Sequence, residues 1–196
     1  MKRIPLEYAI LAVAVAATAV VALPAHAQGT AKASEAATEK LARGKYLVTV
    51  AVCNDCHTPW VMGPKGPEPD MNRMLSGHPE SAALPPAPKL EGPWIAATSA
   101  TNTAWSGPWG VSYTANLTPD PETGLGKWTQ RNFTETIRTG RHMGRGRQVL
   151  PPMPIPMYRN FTDADLEAIF SYLQTIPAIK NRVPEPLPPA AAVAAK

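Results

Sequence analysis

The 196-residue chain contains only two cysteines, and both lie in CNDCHTP, residues 53–59, where they stand three apart with His57 directly after the second. Three chemistries use such a pair: a disulfide, half of a zinc site, or covalent attachment of haem. Each would organise the surrounding chain differently. A zinc site needs about four ligands, usually from two such pairs, and there is no second pair. A redox C-x-x-C opens a helix of an α/β fold, whereas this pair follows a helical stretch in a chain without a βαβ pattern. C-x-x-C-H is the attachment signature of c-type haem: two thiols for the vinyl groups and an imidazole for the iron.

The compartment permits this chemistry. Residues 1–27 combine a positive start (Lys2, Arg3), an uncharged apolar stretch over residues 8–23, and an A-x-A site at Ala25-His26-Ala27. This is the pattern of a secretory signal peptide. The apolar stretch is shorter than the ~20 residues of a spanning helix, and retention as an anchor is the alternative to cleavage. Either way the body of the protein is exported, and a bacterial periplasm allows both disulfides and covalent haem. The full chain carries a net charge of +4; losing Lys2, Arg3 and Glu7 with residues 1–27 lowers it by one, to +3. That is too weak a charge for a nucleic-acid partner and suits acidic protein surfaces.

Composition divides the rest. Residues 28–38 are rich in Ala, Ser, Thr and charge, and read as a flexible leader. Residues 183–196 (VPEPLPPAAAVAAK) read as a Pro/Ala-rich tail, and residues 39–182 as one domain. Within it, residues 39–52 predict a helix ending at Cys53, with Leu41, Lys45, Val48 and Val52 near one stripe and Gly44, Leu47 and Ala51 beside it. Gly44 can let another helix approach closely. Residues 161–173 predict a second helix, with Thr162 as N-cap, Asp163 and Asp165 in the first turn, and Leu166, Ile169, Phe170 and Leu173 at helical spacing; Pro177 ends the run. Residues 129–138 predict a third helix, capped by Thr129 and using Phe133 and Ile137. The expected class is all-α: a few short helices with a long Pro/Gly/Trp-rich insertion. Such helices bury too little to organise that insertion alone, and a flat apolar porphyrin would supply the missing surface.

GKYLVTVAVCNDCHTP and TDADLEAIFSYLQTI resemble the opening and closing segments of class I type monohaem cytochromes c. NLTPDPETGLGKWT, RTGRHMGRGRQVLPPMP and PAIKNRVPEP are similar to cytochrome c subunits that accompany proteobacterial periplasmic or membrane-bound dehydrogenases. The likeness covers residues 41–186. Many such subunits carry several C-x-x-C-H sites; this chain has one. The resemblance implies a cytochrome c-like fold and one covalent haem c on Cys53 and Cys56, with His57 as one axial ligand. It places the other ligand in the LPPMPIPMYRNFTD loop, where Met153 matches best and Met157 is the rival, with His78 and His142 as the alternatives outside that loop. A thioether favours ferrous iron, and flanking prolines restrict the loop holding it.

The implied role is an electron carrier, not an enzyme, passing electrons from a dehydrogenase toward a respiratory-chain acceptor in the periplasm, with membrane association through a partner or an uncleaved N-terminus. Alternatives are a haem enzyme or gas sensor with an open sixth position, and a haem-free disulfide protein. Arg138, Arg141, Arg145 and Arg147 occur without an intervening acid: a solvated basic loop, a propionate partner, or a docking patch for an acidic protein. His142 lies among them. His78, in the Pro-rich insertion, reads as a surface residue. Trp60, Trp94, Trp105, Trp109 and Trp128 are expected to pack the insertion and the haem wall, and residues 116–120 to form a turn.

Overall fold

The computed structural model describes residues 25–189; residues 1–24, including the apolar stretch of the expected signal peptide, lie outside the described residues. The chain divides into two units, residues 1–35 and residues 36–196. The described part of the first is helical, being the start of α1 (Ala25–Val50). Residues 28–38 fall within this helix, which starts well before residue 39. Ala, Glu and Lys are strong helix formers even where nothing amphipathic marks the run.

Among the described residues, the second unit holds the rest of α1 and four further α-helices: α2 (Cys53–His57), α3 (Gln130–Thr139), α4 (Ile155–Tyr158) and α5 (Asp163–Leu173). The expected caps are present. The Thr162 hydroxyl accepts from the Asp165 N–H at 3.0 Å. At α3, Thr129 and Asn132 bond reciprocally, side chain to backbone, at 3.1 Å each way, a capping box with Asn in the place of Glu or Gln. Gly44 does allow close helix packing: a Cβ there would stand 2.0 Å from the Ala168 carbonyl oxygen of α5. Around this crossing Leu47 and Val48 of α1 join Leu166, Ile169, Phe170 and Leu173 of α5 and Phe133 and Ile137 of α3 in one core.

An all-α architecture is not what the insertion adopts. Strands β1 (Trp60–Gly63) and β2 (Gly66–Pro69) form an antiparallel hairpin, and β3 (Ala97–Thr98), β4 (Ala104–Gly107) and β5 (Gly110–Tyr113) form a three-stranded antiparallel sheet in that order. None exceeds four residues, so none could show a readable alternation of apolar and polar positions. In the described part of the expected tail, Leu187 exchanges both backbone hydrogen bonds with Val111 of β5 at 2.9 Å.

Candidate functional site

Two residues separate α1 from α2, and the second, Val52, has φ +53. That is a rare conformation for a β-branched residue, and it turns the chain between the two helices. Cys53, Cys56 and His57 then line a cavity of about 470 Å³. Burial raises the thiol pKa values of both cysteines, Cys53 to about 11, so both are protonated at neutral pH. The imidazole Nδ1 of His57 lies 2.8 Å from the Ala115 carbonyl oxygen. A carbonyl only accepts, so Nδ1 carries the proton and the lone pair remains on Nε2. Burial lowers the His57 pKa, opposed by that hydrogen bond, which keeps the ring neutral and able to ligate a metal.

The same cavity is lined by Met153, from the Pro-rich loop before α4. Met153 is half-buried and packs against the core, whereas Met157, on α4, is 70 % exposed. Trp128, Phe133, Ile137, Leu166, Ile169 and Leu173 supply much of the apolar wall. Of the five tryptophans, Trp128 is the one on this wall, and Trp94 is 75 % exposed. Polar groups, among them Arg147, Arg182 and Glu185, lie at the rim.

Tyr158, unnoticed in the sequence, also lines the cavity and donates its hydroxyl proton to the Ala51 carbonyl just before the cysteine motif. Burial, then the neighbouring thiols, push its pKa up to about 12. These residues fit a porphyrin: an apolar slot with two thiols, one preset imidazole and one thioether on its lining.

One expectation fails here. His78 is fully buried, with Nδ1 2.9 Å from Thr103 Oγ1 and Nε2 3.3 Å from the Ala82 carbonyl; polar partners within the insertion make burial tolerable. The arginines are not all uncompensated. Arg138 pairs with Asp163 at 2.6 Å and Arg147 with Glu185 at 3.4 Å, acids that are remote or not adjacent in sequence. Among the described residues Arg141 and Arg145 have no acidic partner. His142 is exposed on the cavity lining, edge-on to Trp128 at 5.0 Å between ring centres. The turn at residues 116–120 is a buried junction: Asn116 accepts from the Thr118 N–H at 3.0 Å and donates to the Ile179 carbonyl at 2.8 Å.

Comparison with characterised proteins agrees with this chemistry. The chain is similar to the cytochrome c subunit of quinone alcohol dehydrogenase from Gluconobacter oxydans, 27 % identical over 85 % of this chain and 28 % of the relative. It is similar to the fructose dehydrogenase cytochrome subunit of Gluconobacter japonicus, 28 % identical over 74 % of this chain and 24 % of the relative. It is also similar to the gluconate 2-dehydrogenase cytochrome c subunit of Pantoea cypripedii, 26 % identical over 66 % of this chain and 22 % of the relative. The chain therefore spans under a third of the length of these relatives. No family model matches it.

Proposed function

We propose that the chain is a monohaem c-type cytochrome that relays electrons from a dehydrogenase toward a respiratory-chain acceptor in the periplasm. Cys53 and Cys56 would hold the haem by adding their thiols to its vinyl groups, and His57 Nε2 and the Met153 sulfur would ligate its iron. The observation that carries this reading is one apolar cavity lined at once by two thiols, a thioether and an imidazole whose other nitrogen is committed to Ala115. The likeness to cytochrome subunits of dehydrogenases supports the partner.

When bound, the haem iron stores and releases one electron at a time. The protein's own residues attach the group, fix the His57 ring, present a soft sulfur ligand and exclude water along the apolar wall. With His57 and Met153 both ligating the iron, no position on it would be left for a substrate, so the polypeptide would act as a carrier and the partner would perform the substrate chemistry. No helix among the described residues is long and apolar enough to cross a membrane.

Acid-acetone extraction tests the attachment: the colour stays with the polypeptide, and its complete release would defeat the proposal. The ferric protein should be low-spin, with the weak near-infrared sulfur-to-iron band; a high-spin ferric spectrum would instead favour an open sixth position.

A further inference from the structure

His57 is only as well placed as the carbonyl that takes its Nδ1 proton. That carbonyl belongs to Ala115, an exposed residue whose methyl side chain offers little anchorage. Its peptide rests on Gly77. With φ +77, Gly77 lies so close that a Cβ would stand 2.5 Å from the Thr114 oxygen and 2.7 Å from the Ala115 oxygen. Gly77 also donates its N–H to the His57 carbonyl at 2.7 Å, and His78 donates its own to the Thr114 carbonyl at 3.0 Å. Residues 76–78 thus touch both partners of the His57–Ala115 hydrogen bond.

The segment is itself held from two sides. Asn181, 4 % exposed, donates Nδ2 to the Ser76 carbonyl at 2.7 Å and to the His78 carbonyl at 2.8 Å, while Oδ1 accepts from the Glu80 N–H at 2.9 Å. On the other side the buried His78 ring meets Thr103 Oγ1 and packs 4.8 Å from the Tyr113 ring. The Thr103 carbonyl accepts from the Thr114 N–H at 2.9 Å.

We infer that residues 76–78, bracketed by the Asn181 carboxamide, form a clamp that sets the orientation and basicity of His57, with Gly77 and Asn181 as positioning residues that act through the Ala115 carbonyl. The inference rests on His57 being an axial ligand. An outer hydrogen bond fixes the ring of a metal-bound histidine and raises its basicity. Weakening it makes the ligand a poorer donor, which favours ferrous iron and raises the potential.

Gly77→Ala pushes on the Ala115 carbonyl directly. Asn181→Asp is nearly isosteric and keeps the acceptor for the Glu80 N–H, but replaces the donor facing two carbonyls; it supplies the same test where Gly77→Ala is too disruptive to purify. Gly66→Ala is the control, because Gly66 has φ +120 but nothing within 4 Å of its added Cβ. In the full-length, haem-loaded protein, Gly77→Ala and Asn181→Asp should raise the midpoint potential. They should also speed hydrogen exchange of the His57 Nδ1–H in the ferrous protein by about ten-fold, the effect of weakening one hydrogen bond. Gly66→Ala should move neither. Wild-type exchange and potential in a haem-loaded clamp variant would overturn the inference while leaving the cytochrome reading intact. Absence of covalent haem from the unaltered protein would overturn both.

Discussion

The two regions that bring the proposed iron ligands, His57 and Met153, to the cavity are built by different means. Around His57, hydrogen-bonded buried side chains converge from distant parts of the chain: Thr58, His78, Asn116, Thr118 and Asn181 are all buried. The Thr58 hydroxyl accepts from the Leu75 N–H at 2.9 Å, and the Thr118 hydroxyl donates to Asn116 at 2.7 Å. Around Met153, each of residues 141–154 is exposed or half-buried. Their backbone is restricted by Pro151, Pro152 and Pro154 and tied down at a few points, such as the Ser112 hydroxyl donating to the Pro151 carbonyl at 2.6 Å. The first region is specified by mutual hydrogen bonding, which is costly to break because it strands buried groups. The second is specified by limited backbone freedom, which tolerates local change. The Tyr158–Ala51 hydrogen bond links the two.

The severest way to break this pairing is to remove an attachment point. Cys56→Ser should leave at most one thioether and little mature cytochrome, seen as loss of most covalent colour in denaturing gels. Met153→Ala comes next: the haem should stay attached, the near-infrared band should vanish and the potential should fall. Met157→Ala should leave the band in place, and its loss there would move the ligand from the loop to Met157 on α4.

A direct contrast between the regions follows from stability. Asn116→Ala strands buried partners and should cost about 2–3 kcal/mol in denaturant unfolding, whereas Pro154→Ala should cost under about 1 kcal/mol. Equal costs would erase the distinction.

The pH dependence is subtler. Burial, partly offset by the Ala82 hydrogen bond, holds His78 below its usual pKa of 6.5. The unfolded chain therefore binds the extra proton first, and stability, complete above pH 6.5, declines as pH falls through 6.5 toward the folded value. His78→Gln should flatten that decline in acid-unfolding curves. The smallest effect belongs to the Met153 region's surface. Arg141→Glu with Arg145→Glu should slow reduction by an acidic partner dehydrogenase a few-fold at low ionic strength, with the difference shrinking as salt screens it. A salt-independent change would point away from docking.

The caps at Thr129 and Thr162, the core stripe of α5 and the close approach at Gly44 were legible in the sequence. Each depends on residues within a few positions of one another, or on the absence of a side chain. The strands were not legible, because runs of two to four residues carry no period. Nor was the start of α1, whose Ala-rich opening has helix propensity without an apolar face.

Sequence alone determined which atoms are available to this protein: two thiols and an imidazole at fixed spacing, and a methionine between prolines. Tertiary structure decided how they are held. The acceptor for His57 lies 58 residues away and the Asn181 clamp grips Ser76 across 105 residues. His78 is buried by an insertion that looked like surface, and Asp163 and Glu185 neutralise arginines that looked bare. Hydrogen bonds and ion pairs act over a few ångströms, so distant partners become visible only once folding has brought them together.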